Sequence, residues 1–148
     1  MTTRVQRSEW VPYSAEQMFN LVNDIESYPE FLPHCRSARI LESRNGRVKA
    51  TIELAKGALH KSFTTWNRLE APRLIDIRLV DGPFRSLHGS WSFTEQKGRG
   101  TRIALDLEFE FSSRLMSLAI GPVFNHVANS LVDAFVRRAK VIHGEMHG

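Results

Sequence analysis

The sequence predicts an α+β fold: one curved antiparallel sheet of roughly seven strands, a long C-terminal helix laid across it, and two short helices near the N-terminus. Three observations carry that expectation. From Phe124 onward, apolar residues fall at Phe124, Val127, Ala128, Leu131, Phe135, Ala139 and Ile142, mostly in steps of three and four that share one helical face. Between Arg36 and Phe111 the prevailing period is two, the mark of half-buried strands. Tight-turn signals such as Asn45-Gly46 separate those strands and make neighbours antiparallel.

Residues 3–11 read as the first strand, with Val5 and Val11 on one face and Trp10 on the other. Ser14, followed by Gln17, has the capping-box pattern and opens a short helix to about Asn23, with Met18, Phe19, Leu21 and Val22 as its apolar face. Asp24 is placed to cap a second short helix, Ile25 to Phe31, bracketed by Pro29 and Pro33. Strands at 36–43 and 47–55 flank Asn45-Gly46, and Val48, Ala50, Ile52 and Leu54 alternate with polar residues in the second. Gly57-Ala58 turns into a strand at 59–69, with Phe63, Thr65 and Leu69 on one side, and Ala71-Pro72 ends it. Ile75, Ile77 and Leu79 alternate with Asp76 and Arg78 before the Asp81-Gly82-Pro83 turn.

Leu87, Gly89, Trp91 and Phe93 then share a face, opposite His88, Ser90, Ser92 and Thr94. Lys97-Gly98-Arg99-Gly100 closes a hairpin into Ile103, Leu105, Leu107, Phe109 and Phe111, the cleanest alternation in the chain. Ser112 or Ser113 caps the last helix, 113–143, which Gly121-Pro122 should kink or interrupt early. Val123, Val132 and Val136 widen its apolar stripe, while Asn125, Asp133, Arg137 and Lys140 lie toward the other side.

The 148 residues, 42% hydrophobic and 24% charged, suit one globular domain spanning 1–148. With Cys35 as its sole cysteine the chain forms no intrachain disulfide, which fits a reducing compartment. No apolar run approaches the ~18 residues of a membrane span, and the N-terminus lacks the apolar core of a signal peptide. A cytoplasmic protein without an integral membrane segment is expected. The net charge of +4 and pI of 9.6 favour acidic partners in encounter.

Three segments, taken in order, resemble one family: Tyr28-Pro29-Glu30-Phe31-Leu32-Pro33; Asp81-Gly82-Pro83-Phe84 with Leu87-x-Gly89-x-Trp91-x-Phe93; and Asp133-Ala134-Phe135-Val136-x-Arg138-Ala139. Together they resemble the coenzyme Q-binding and ribosome-association toxin family of the START-like, polyketide cyclase/dehydrase superfamily. The resemblance covers essentially the whole chain and implies the helix-grip fold, a curved sheet gripping a long C-terminal helix over a cavity. It departs at His34-Cys35, where the family more often has Trp before the Cys, which alters the polarity expected at the cavity rim.

Catalytic groups are sparse. Asp24, His34 and Cys35 lie near the helical corner, but adjacent residues on extended chain point apart, so His34 and Cys35 make a poor nucleophile pair. Asp76 and Asp81 read as ion-pairing and turn residues, and His143 and His147, though at helical metal-ligand spacing, as a solvated tail. Gly98-Arg99-Gly100 is too short to cradle a phosphate. The expectation is a binding protein, neither enzyme nor metalloprotein.

Two functions follow as alternatives. The first is non-catalytic binding of a hydrophobic small molecule. The resemblance implies ubiquinone or a polyketide- or lipid-like molecule, supporting respiratory quinone use. Strand parity and helix face nominate Leu79, Trp91, Phe124, Val127 and Leu131 as its enclosure. Phe63 is a lining aromatic along with Phe93 and Phe109, Tyr28 and Phe31 close one end, and Phe84 sits in a gating turn. The second, implied by the toxin branch, is binding to the large ribosomal subunit to block subunit joining, with an antitoxin protein as a further partner. Arg36, Arg39, Arg44, Arg47 and Lys49 crowd one hairpin, with Lys56 and Lys61 near the next turn, and suit phosphate contacts. No aromatic platform interleaves with these charges in the sequence.

Overall fold

Alternating apolar and polar side chains set the seven strands, and tight turns lay them in a single antiparallel sheet. These are β1 (Thr3–Val11), β2 (Cys35–Arg44), β3 (Arg47–Lys56), β4 (Leu59–Glu70), β5 (Leu74–Asp81), β6 (Phe84–Gln96) and β7 (Gly100–Phe111). The computed structural model describes residues 2–144. Spatial order is β1-β7-β6-β5-β4-β3-β2, so only β1 leaves sequence order. Helix α1 (Ala15–Asn23) and a 3-10 helix (Ile25–Glu30) carry the chain from the β1 edge to the β2 edge. Helix α2 (Arg114–His143) packs on β1, β7 and α1 and reaches β3 and β4.

Local chemistry sets each boundary. Asn45 and Gly46 adopt φ of 52° and 72°, the left-handed pair that joins twisted strands in a two-residue hairpin. The Ser14 hydroxyl accepts from the Gln17 N–H at 3.1 Å while Gln17 Oε1 accepts from the Ser14 N–H at 2.9 Å, so the capping box forms as expected. Asp24 behaves differently. Its carboxylate takes the Ser27 hydroxyl at 2.6 Å instead of capping backbone, and the following segment winds as a 3-10 helix ending at Glu30. Pro29 inside it offers no N–H, which favours the tighter winding.

Ser113 caps α2, accepting from the Met116 N–H at 3.1 Å. The expected interruption at Gly121-Pro122 does not occur, and α2 runs unbroken from Arg114 to His143. Pro122 forfeits one backbone hydrogen bond, but buried Ile120, Val123 and Phe124 on either side anchor the flanking turns to the core. Ile142 is the other departure: it is 51% exposed, because the last turn has passed beyond the sheet and meets Tyr13 and Gln17 through His143. By length and mean hydropathy of 1.3, α2 would suffice to cross a membrane, yet Ile120, Phe124, Ala128, Phe135 and Ala139 on it are buried within this fold.

Inner-face residues of the sheet form the core with α1 and α2, and two aromatic groups divide it. Near the β5–β6 turn, Phe63, Phe84, Phe109, Phe111 and Phe124 gather, with Phe124 4.7 Å from Phe109 and 4.8 Å from Phe84 between ring centroids. Around the 3-10 helix, Phe135 meets Tyr28 at 5.4 Å, Phe31 at 5.2 Å and Trp91 at 5.3 Å, each edge to face. Such edge-on pairs suit the ring quadrupole. The three resemblance segments therefore meet at Phe135. Arg138, one turn on, binds Glu30 at 3.1 Å and lies 5.0 Å over the Phe31 ring, which ties the 3-10 helix to α2.

Candidate functional site

Between the two aromatic groups lies a largely enclosed apolar cavity of about 100 Å³, walled by β3–β7, the 3-10 helix and the middle of α2. Gly89 contributes no side chain to its β6 wall, flanked by Leu87 and Trp91, which line it. Of the residues nominated from sequence, Tyr28, Phe63, Trp91, Phe124, Val127 and Leu131 line it. Three others do not. Phe31 packs outside, on Tyr28 and Phe135 beneath Arg138, where it borders a surface groove with Pro33 and His126. Phe84 is consumed by the aromatic group, stacked on Phe111 at 5.2 Å. Leu79 stands just past the last β5–β6 pair, Arg78 with His88, and packs only against the core's margin. Phe93 and Phe109 also fill the core instead of lining the cavity, Phe93 stacking on Trp91 and Phe109 against Phe124.

Sequence reasoning missed lining residues of two kinds. Ile25 and Leu32 enter because the 3-10 helix folds onto α2, a tertiary event with no periodic signature, while Phe135 belonged to the legible stripe of α2 but was not singled out from it. Ala50, Ile52, Leu54, Ile77, Leu87, Leu105 and Leu107 were legible as inner-face residues, though parity gives a face and no depth.

Polar groups in the wall are few and neutral. The Thr65 hydroxyl donates to Asn67 Oδ1 at 2.9 Å. The Tyr28 hydroxyl donates to the Val22 carbonyl, and burial pushes its phenol well above the usual range. Burial likewise pushes the Cys35 thiol up to about 11, and its Sγ contacts the Ser37 carbonyl at 3.7 Å. A thiol so protonated is a weak nucleophile. His34, at φ 60°, turns away and meets the His126 ring at 5.6 Å, so the two neighbours do point apart. Among the described residues no group of three His, Cys, Asp or Glu side chains stands close enough to hold a metal ion. His147, the proposed partner of His143, lies outside the described residues. Asp76 pairs with Arg78 at 3.5 Å, and Asp81 accepts from the Gly82 N–H at 2.9 Å, an ion-pairing and a turn role.

The opposite, outer face of β2–β5 carries more cations than carboxylates, with Glu42, Glu53, Glu70 and Asp76 among its arginines and lysines. Pairing places Lys49 of β3 and Arg78 of β5 on either side of Trp66 in β4, with Arg47 opposite Arg68 and Arg39 opposite Thr51. The Arg47 guanidinium lies 4.7 Å, and the Lys49 ammonium 5.9 Å, from the Trp66 ring centroid. An aromatic ring therefore does interleave with the hairpin's cations, contrary to the sequence expectation. Its partners arrive from a neighbouring strand, which a linear reading cannot see. Other nominated cations are partly neutralised: Arg36 faces Glu53 at 3.8 Å, and Arg44 binds Glu42 at 2.8 Å. Two register shifts, at Cys35/Ser37 and Ile40/Glu42, disrupt β2 as a regular edge.

Sheet, gripping helix and enclosed cavity define a START-like helix-grip protein. The fold is shared by a START superfamily protein from Mycobacterium smegmatis, with a TM-score of 0.75 at 23% identity over 94% of this chain and 98% of that one. A family model described as polyketide cyclase / dehydrase and lipid transport matches residues 11–136. Ribosome association toxin RatA of Escherichia coli K12 is 46% identical over 140 residues, covering 95% of this chain and 89% of RatA. The persistence and stress-resistance toxin PasT of Escherichia coli O6:H1 shows the same identity and coverage. The mitochondrial coenzyme Q-binding protein coq10 of Schizosaccharomyces pombe is more distant, 27% identical over 92% of this chain and 86% of coq10. The chain belongs to the RatA/PasT toxin family, within the polyketide cyclase/dehydrase and lipid transport superfamily.

Proposed function

We propose that the protein acts in the cytoplasm on the large ribosomal subunit, blocking subunit joining, with an antitoxin protein as a further partner. One observation carries the reading: on the outer face of the sheet Arg47 and Lys49 lie over the Trp66 ring, with Arg39 on the adjoining edge strand β2, and among the described residues no carboxylate stands within ion-pair distance of these three cations. Their charge remains available to phosphates, the usual source of affinity for nucleic acid. Identity of 46% to RatA over 95% of the chain supports the same direction.

Carriage of ubiquinone or another lipophilic molecule is the weaker reading. A cavity of about 100 Å³ falls well short of the ~300–1,000 Å³ of small-molecule pockets. A quinone with its polyprenyl tail requires α2 or the β3–β4 wall to move.

One experiment separates the two. Purified large subunits are mixed with the protein and sedimented at stepped salt, small subunits are added to score joining, and the same preparation is extracted and weighed by native mass spectrometry. Co-sedimentation that fades with salt, fewer joined ribosomes, and loss of both in Arg39→Glu/Arg47→Glu are expected. Protein left unsedimented at low salt, with a stoichiometric lipophilic adduct, would move the function to the cavity.

A further inference from the structure

The basic face has a feature that phosphate attraction alone does not require. Trp66 is a large aromatic in the middle of a strand, on the side of the sheet away from the core, while the residues before and after it, Thr65 and Asn67, line the cavity. Its sheet neighbours, Lys49 and Arg78, are both cations, Arg68 follows two residues on, and Arg47 reaches over the ring. A sheet surface with a half-buried ring among cations matches the chemistry of one nucleic-acid element in particular. An unpaired base stacks on the ring while the phosphates on either side meet the cations. A duplex would leave the ring unused, because its bases are already stacked on one another. A protein partner is disfavoured by the number of cations that burial against a protein surface would desolvate.

Two facts show that the ring is not merely sealing the sheet. The cations at Arg68 and Arg78 are steered by Asp76, at 3.9 and 3.5 Å, and Arg68 also by Glu70 at 2.5 Å, which holds them beside the ring and off it. Arg47 and Lys49, by contrast, have the ring itself as their contact. A planar guanidinium on one face of an indole is a geometry that an incoming base can share or replace.

We infer that Trp66 is a base-stacking platform, and that the outer face of β3–β5 binds an unpaired, single-stranded nucleotide segment of RNA, with Arg47 and Lys49 on its flanking phosphates. The inference rests on the ribosome reading above and names the element of the subunit that the face takes.

The test uses the full chain with Trp66→Leu, Trp66→Phe and Lys49→Gln. Each is titrated against purified large subunits and against a mixed-sequence single-stranded RNA oligonucleotide, over a range of salt. Thermal unfolding confirms that the variants are folded. Trp66→Leu should weaken binding to both probes roughly 5- to 150-fold, the worth of one stacked base, without changing the salt slope. Trp66→Phe, which still stacks, should recover most of that loss. Lys49→Gln should lower the salt slope by about one. Wild-type affinity of Trp66→Leu for subunits would overturn the inference. So would a loss confined to subunits with oligonucleotide binding intact, which would assign the face to a ribosomal protein. If no form binds subunits while the oligonucleotide responds to Trp66 as expected, the ribosome reading fails and the stacking platform stands.

Discussion

Phe135→Ala is the sharpest probe of the interior. Phe135 is 1% exposed, lines the cavity, and makes edge-to-face contacts with Tyr28, Phe31 and Trp91. Truncating a buried Phe to Ala costs ~3–5 kcal/mol, transfer and cavity terms together. The upper half of that range is expected here, since the lost ring space opens into an existing void of about 100 Å³ and neighbours locked in three ring contacts cannot collapse into it. At ~2–4 °C per kcal/mol for a chain of this size, the melting temperature should fall by roughly 8–20 °C. Urea unfolding followed by circular dichroism measures the loss. The enlarged cavity, walled by apolar groups, should stay dry and admit benzene. Benzene at tenfold its dissociation constant should return ~1.4 kcal/mol to the variant, and far less to the parent. A loss below ~1 kcal/mol, or no benzene response, would mean that the ring does not wall a closed void, and the account of the interior would fail.

Two further changes address the sheet and the thiol. An added Cβ at Gly89 would stand 2.3 Å from the Asp106 carbonyl oxygen and 2.9 Å from Leu107 Cα, both backbone atoms of β7. Gly89→Ala should therefore lose ~1–3 kcal/mol or more, and urea unfolding within ~0.5 kcal/mol of the parent would refute the close approach. Cys35, pushed up to about 11 by burial, ionises near 9.0 once unfolded. Its contribution to stability is thus complete below pH 9 and is lost as pH rises toward 11. Iodoacetamide at pH 8 should label it much more slowly in the folded protein than in urea, and equal rates would contradict its burial.

What the sequence made legible follows from how each feature is encoded. Inner-face residues from Val48 to Phe109 repeat with the strand's own period, so the sheet, its hairpins and the stripe of α2 could be read directly. Cavity membership is encoded elsewhere. Phe135 faces the cavity from the apolar stripe of α2, whereas Phe31, at the end of the 3-10 helix, packs beneath Arg138 and borders the outer groove. Leu79 has the parity of the cavity face but stands past the last β5–β6 pair, at the margin of the sheet. Trp66 was invisible as a platform because Lys49, its cross-strand neighbour, is distant in sequence, while its own flanks, Thr65 and Asn67, are uncharged. Pairing information, not composition, defines that site.

The same strands serve both faces. In β3 and β4, Ala50, Ile52, Phe63 and Thr65 wall the cavity, while the alternate residues Lys49 and Trp66 form the basic face. A strand of period two cannot change one set without moving the other. A ligand too bulky for a cavity of about 100 Å³ needs a wall to give; lifting α2 is one route and parting β3 from β4 another, and the second separates Lys49 from Trp66. Lifting α2 instead means breaking the Arg138–Glu30 contact and the Phe135 ring contacts. The cost of opening thus falls on buried aromatic packing on one route and on the RNA face on the other. A cavity that stays closed leaves Trp66 and its cations in register.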